Sequence, residues 1–271
     1  MREATPGANR LIAITIVRNE AGNFLRPWLE NVAQLVDFHI FLDDGSDDAT
    51  PDIIAGHLQK YPGLLFRRDV SLFKDNEPKL RGELWEYTRR IAREGDWIFI
   101  VDADEFVDEH FLDVKPQLLG NKFPHADIVK LSILDMWTAS AYRCDGKWSP
   151  KHRSVRLIRY NDVPFGEEGT ELHHPPYPAS TNLSKKIKIY IPLFHFAYVR
   201  RKDRARRYQF YTRNVAQGTQ AYAHALSIME PDIRLKPFFT PWRLLWARVT
   251  GKKLQTGIYR QLKSLCEADD E

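Results

Sequence analysis

Trp97-Ile98-Phe99-Ile100-Val101-Asp102-Ala103-Asp104-Glu105 runs from an unbroken apolar segment straight into three carboxylates. Large hydrophobes in succession, with no polar alternation, read as a parallel strand buried on both faces. An open α/β sheet binds its ligands outside the carboxyl ends of such strands, so the acids fall where chemistry is done. Asp102 and Asp104 are two apart, and the period-2 pleat turns both toward one side, close enough to share one hard divalent cation. Carboxylates crowded at a strand end repel one another, and a cation that also takes phosphate oxygens relieves this better than water does. A solvated acidic turn would carry the same letters, so the motif needs company.

The company is a second strand of the same form. Phe38-His39-Ile40-Phe41-Leu42-Asp43-Asp44-Gly45-Ser46-Asp47-Asp48-Ala49-Thr50 again ends in acids, followed by a glycine turn and by Pro51, which suits the first turn of a helix. A third strand, Leu11-Ile12-Ala13-Ile14-Thr15-Ile16-Val17, leads into Arg18-Asn19-Glu20 and then a helical pattern carrying Phe24, Leu25, Trp28, Leu29 and Val32. Strand, polar loop and helix in repetition is the sequence form of a doubly wound nucleotide-binding half. Neither loop holds a Gly-x-Gly-x-x-Gly or a Walker lysine, which removes the main support for dinucleotide or ATPase chemistry.

Ile16-Val17-Arg18-Asn19-Glu20, Leu42 to Thr50 and Val101-Asp102-Ala103-Asp104-Glu105 together resemble the family-2 glycosyltransferases of the GT-A fold, in order, spacing and strand context. The resemblance runs over residues 10–200 and is strongest over the first 110. It is nearest to the bacterial branch whose metal motif reads Asp-Ala-Asp-Glu and whose later strand, here Ile187-Lys188-Ile189-Tyr190-Ile191-Pro192-Leu193-Phe194-His195-Phe196, carries a lone histidine. It implies a mixed, mostly parallel α/β sheet flanked by helices, and transfer of a sugar from a nucleotide-diphosphate donor, a UDP-sugar, to a glycan or lipid-linked acceptor of bacterial surface polysaccharide. Mn2+ or Mg2+ is the implied cofactor, with Asp104 as its ligand, Asp102 on the same ion through water or on the ribose, and His195 completing the site. His173 and His174 offer an alternative imidazole in a proline-flanked loop. Glu105 would orient the loop or bind a donor-sugar hydroxyl.

On the donor side the resemblance assigns Asp44, with Asp43, to the base. Glu20 and the backbone of Thr15, Val17 and Arg18 frame the nucleoside. Asp102 and Ala103 close the donor site, and Lys79 and Arg81, at the start of a helix read from Leu80, are directed at the nucleotide. Inverting transfer needs a carboxylate to take the acceptor proton, and here Glu168, Glu171 and Asp135 are all candidates.

Composition bounds the rest. A chain of 271 residues, 43% hydrophobic and 28% charged, is ordinary globular material with enough length for a large core. Cys144 and Cys266 are too few and too distant for a disulfide framework, which points to a reducing compartment. No apolar stretch approaches the roughly 18 residues of a membrane span, so the expected location is cytoplasmic and peripheral on the inner face of the membrane.

The net charge of +4 conceals an uneven distribution. Residues 200–263 hold ten Arg and five Lys against three acids. The expected organisation is therefore a catalytic domain over 1–199, with a nucleotide and metal half over 1–110 and an acceptor half over 111–199, followed by a basic helical extension over 200–271. Arg200-Arg201-Lys202-Asp203-Arg204-Ala205-Arg206-Arg207-Tyr208 reads as a helix, and Lys236 to Val249 interleaves aromatic residues with Arg. Such segments suit anionic lipid; a helix packed on the catalytic core with its Arg residues solvated would have the same sequence, and nucleic acid is not expected as a partner.

Ile128 to Leu134 and Ser154 to Tyr160 read as further strands, and the proline-rich stretch over 161–184 as a long loop beside the site, an acceptor-side lid. Two other functions compete. A sugar-nucleotide pyrophosphorylase would need a Gly-rich basic loop after its first strand, which Arg18-Asn19-Glu20-Ala21-Gly22 does not supply; a non-catalytic sugar-nucleotide or glycan-binding module would not need acids at two strand ends.

Overall fold

The computed structural model describes residues 8–120, 122–148, 150, 153–166, 175–181, 185–238, 263 and 266. The elements are β1 (Leu11–Val17), α1 (Leu25–Ala33), β2 (Phe38–Asp43), α2 (Thr50–Leu58), β3 (Gly63–Arg67), α3 (Glu77–Arg89), β4 (Trp97–Ile100), β5 (Glu105–Val107) and α4 (Phe111–Leu119). There follow β6 (Ile128–Asp135), β7 (Ala141–Arg143), β8 (Arg153–Arg159), β9 (Lys186–His195), α5 (Arg201–Asn214), α6 (Gln220–Ser227) and β10 (Leu235–Pro237). They form two compact units that interleave along the chain, one of Met1–Ala103, His110–Leu131 and Ser154–Ile191, the other of Asp104–Glu109, Ser132–Arg153 and Pro192–Glu271.

In the first unit the strand order is β3-β2-β1-β4-β8-β6-β9. β1 is parallel to both β2 and β4, and β2 to β3, while β8 runs antiparallel to β4 with Trp97 opposite Arg159. Of these four parallel strands, β1, β2 and β4 are mostly apolar because both faces are covered. Ile12, Ile14, Ile40, Leu42, Ile98 and Ile100 pack with Leu80, Leu84 and Trp85 of α3 on one face. On the other, Trp28 of α1 meets Phe41 edge-on at 6.3 Å and Phe99 stacks on Phe111 of α4 at 5.7 Å. α3 starts at Glu77, three residues before the start read from apolar spacing. Asn76 caps it by accepting from the Lys79 N–H at 2.9 Å, and a proline stands in its first turn.

In the second unit β5 pairs antiparallel with the end of β9, Glu105 opposite His195, and the Met136 N–H donates to the His195 carbonyl, which continues the ladder toward the end of β6. β7 and β10 form a separate antiparallel pair. An aromatic cluster of Trp137, Trp148 and Tyr198, with Ile228, makes this unit's core. Arg143 is fully buried there, with its guanidinium 5.0 Å from each indole ring and bonded to Asp145 and Glu230. Among the described residues no helix is long and apolar enough to cross a membrane.

Candidate active site

β2 delivers the first set of acids at its carboxyl end, beside the end of β1. Asp43 is fully buried and accepts from the hydroxyl and N–H of Ser46, with Arg67 at 3.5 Å. Asp44 is 1% exposed. Its oxygens accept from the Ser71 hydroxyl at 2.6 Å, the Leu72 N–H at 2.7 Å and the Phe73 N–H at 3.1 Å, with Arg68 at 3.6 Å. Asp44, which the sequence reading turns toward a base, holds the 71–73 loop through these bonds. Gly45 permits that closeness: its φ is +70°, and a Cβ there would stand 2.9 Å from the Ser71 nitrogen.

The neighbouring loop is fixed by equivalent bonds. The Glu20 N–H donates to Thr50 Oγ1 at 2.7 Å, the Ala21 N–H to Asp48, and the Asn19 N–H to Ser46, while Asn19 itself takes a left-handed φ of 54° and accepts from the Asp47 N–H. Glu20 accepts from Asn23, Arg18 is exposed, and Val17 is buried with its carbonyl accepting from Asp44. Thr15 lies inside: its hydroxyl donates to the Val101 carbonyl at 2.8 Å, so the 2.9 Å contact with His39 has the Nε2 of His39 as donor.

Asp102 differs from these acids in being half exposed (50%), with Arg156 of β8 at 4.0 Å. It lines a cleft with Arg81, Ile16, Leu84, Phe165 and Pro176. Arg81 is held there by Glu77 one turn back, at 2.6 Å. Lys79 lies within the first turn of α3, not upstream of it, and is exposed. Ala103 is buried.

The second unit holds the other half of the motif. Asp104 Oδ1 lies 3.6 Å from His195 Nε2, and its Oδ2 accepts from Arg207 Nη2 at 2.9 Å. The Nδ1 of His195 meets Asp135 Oδ1 at 2.7 Å. Burial alone would lower the pKa of this imidazole, but Asp104, then Asp135, raise it to about 9. Glu105 is buried in β5. Asp135, expected as a base candidate, thus stands behind His195, while Glu168, Glu171, His173 and His174 lie outside the described residues.

The sequence reading passed over two residues, Arg156 beside Asp102 in the first unit and Arg207 beside Asp104 in the second. Arg207 could have been found. Arg204 and Arg207 lie three apart on one face of α5, and Arg200 precedes them by four as the residue before the helix. That face is the one that bonds inward. Arg204 donates to the carbonyls of Tyr198 at 2.6 Å and Val199 at 2.8 Å, and Arg200 pairs with Asp203. Arg201, Lys202, Arg206 and Arg213 are the exposed cations of the helix.

Among solved structures, the chain is similar to S. aureus TarS 1-349 in complex with UDP, with 15% identity over 81% of this chain and 69% of that one and a TM-score of 0.50. The fold is of the GT-A type. The chain spans 42% of the longer TarS chain (TM-score 0.49). It is also similar to the mannosyltransferase PcManGT from Pyrobaculum calidifontis in complex with GDP-Man and Mn2+, with 14% identity over 97% of this chain and 85% of that one and a TM-score of 0.49. No family model matches the chain, and no curated protein is similar to it.

Among the described residues no group of three or more His, Cys, Asp or Glu is placed to hold a metal ion. A carboxylate beside an imidazole nonetheless suits a divalent cation that takes both oxygen and nitrogen ligands, such as Mn2+. Substrate phosphates complete the shell of an ion held by so few protein ligands, as they do for Mg2+ on one or two carboxylates. Asp104 Oδ1 and His195 Nε2, 3.6 Å apart, suit two ligands of one ion, and the carboxylate behind Nδ1 is the outer-shell partner that fixes a ligating imidazole.

Proposed function

We propose that this protein is a divalent-cation-dependent glycosyltransferase that uses a nucleotide-diphosphate sugar, a UDP-sugar, and a glycan or lipid-linked acceptor. The observation that carries the reading is the Asp104–His195 pair with Asp135 on the far ring nitrogen, set in a GT-A fold. Asp104 and His195 would hold the ion, Mn2+ or Mg2+. When bound, it neutralises charge developing on the departing diphosphate. Asp102 and Arg81 would take the nucleoside and ribose, and Asp44 would shape that site through the loop it holds.

In the transfer, the acceptor oxygen bonds to the anomeric carbon as the bond to the diphosphate oxygen breaks, and the electron pair leaves with the nucleotide. The acceptor proton goes to a carboxylate. Asp135 is committed to His195, so Glu168 and Glu171 are the proposed bases, with inversion at the anomeric carbon. The exposed cations of α5, Arg201, Lys202, Arg206 and Arg213, supply the surface for peripheral contact with anionic lipid, where a lipid-linked acceptor would be met.

A thermal-shift series against UDP, GDP, CMP and dTDP, each with and without Mn2+, tests the reading. A ligand at 100 times its dissociation constant adds about 2.7 kcal/mol. A shift that requires both one nucleotide and the ion supports it, and no shift with any pair overturns it.

A further inference from the structure

Arg207 occupies the carboxylate that the proposed reaction needs for its cation. Its Nη2 donates to Asp104 Oδ2 at 2.9 Å, and its guanidinium lies over the Tyr198 ring at 5.5 Å. One turn earlier Arg204 staples the start of α5 to the Tyr198 and Val199 carbonyls, with a longer contact to that of Trp137 at 3.4 Å. Arg207 therefore projects from a fixed platform, and its side chain is 27% exposed.

A guanidinium and a divalent ion on one carboxylate repel each other strongly where water is scarce. The guanidinium loses its counter-charge when the ion arrives, unless an anion arrives with it. A diphosphate is such an anion, and the planar fork of an Arg matches phosphate oxygens as well as it matches a carboxylate.

We infer that Arg207 is an exchange residue: it occupies Asp104 in the free protein and passes to the diphosphate of the donor when the ion takes that carboxylate. The inference rests on Asp104 being the ion's ligand. It makes Arg207 oppose ion binding when nucleotide is absent and favour it when nucleotide is present, so ion and donor bind cooperatively.

The test is Mn2+ titration of the whole chain by calorimetry, with and without saturating UDP, for the native protein and for Arg207→Gln and Arg207→Lys. Couplings of this kind are commonly about 5- to 150-fold. In Arg207→Gln, Mn2+ should bind more tightly than in the native protein without UDP and less tightly with it, so that the cooperativity between the two falls by about tenfold. Arg207→Lys, which keeps the charge on Asp104, should retain part of it and guards against a folding defect, which a melting curve reports. Equal effects of Arg207→Gln in both conditions, or none, overturn the exchange. Asp104→Asn separates the two levels: if Mn2+ still binds with native affinity there, the reading of the site itself fails.

Discussion

Asp135 Oδ1 lies 2.7 Å from His195 Nδ1, although the two residues are 60 positions apart in the chain. A carboxylate in that place fixes which ring nitrogen is available and how the ring is aimed. Loss of such an outer-shell partner typically lowers metal affinity about 10- to 100-fold. Asp135→Ala should therefore weaken Mn2+ binding in the presence of UDP by that factor while transfer recovers at high Mn2+. Transfer lost at unchanged Mn2+ affinity would return Asp135 to the role of base.

Asp104→Ala and Asp102→Ala should part company. The first removes a proposed ion ligand, so nucleotide binding should cease to respond to Mn2+ while the melting temperature without ligand stays near native. The second removes a half-exposed carboxylate of the Arg81 cleft and should weaken UDP binding both with and without the ion. Titration of UDP in the two conditions measures both.

Arg143 should be worth more to stability than any other arginine of the second unit. It is buried between Trp137 and Trp148, bonded to Asp145, Glu230 and the Ser227 carbonyl. Removing one partner of a buried pair costs about 3–5 kcal/mol when the other charge stays buried. Asp145 and Glu230 are both accessible enough to be rehydrated, so Arg143→Ala should cost about 2–3 kcal/mol, read as a shift in the urea midpoint.

His39 gives a pH dependence. Burial, then the positive charge of His57, holds its pKa well below the usual histidine value. Its Nε2 donates to Thr15, and among the described residues nothing bonds its Nδ1. The unfolded chain takes up a proton near pH 6.5 that the folded chain refuses, so this contribution to stability is present above about pH 6.5 and is lost as pH falls below it. His39→Gln should flatten that part of the stability profile, as measured by urea unfolding at pH 7.5 and pH 5.5; an unchanged slope would refute the assignment.

The sheet was legible because β1, β2 and β4 are buried on both faces and so are written as mostly apolar runs, broken only by Thr15, His39 and the terminal Asp43. The start of α3 was legible too, in Asn76-Glu77-Pro78, but apolar spacing alone points to Leu80 because the cap is polar. What local sequence does not contain is the commitment of each acid. Asp43, Asp44, Asp102 and Asp104 look alike at strand ends. Asp44 is consumed by backbone groups of Leu72 and Phe73, and Asp104 is met by Arg207, 103 residues later. Charge counting treated the arginines of α5 as one population, whereas their helical spacing divides them into an inward row and an exposed one.

That inward row bears on how short a working version of this protein could be. A chain ended at Val199 would keep Asp104, Asp135 and His195, and by charge count it would shed only a basic appendage. It would also lose Arg204, which holds the turn after β9, and Arg207, which balances Asp104. The acids would then face one another with fewer cations between them. Miniaturisation of this protein should therefore proceed from the far side of α5, not from the end of the sheet.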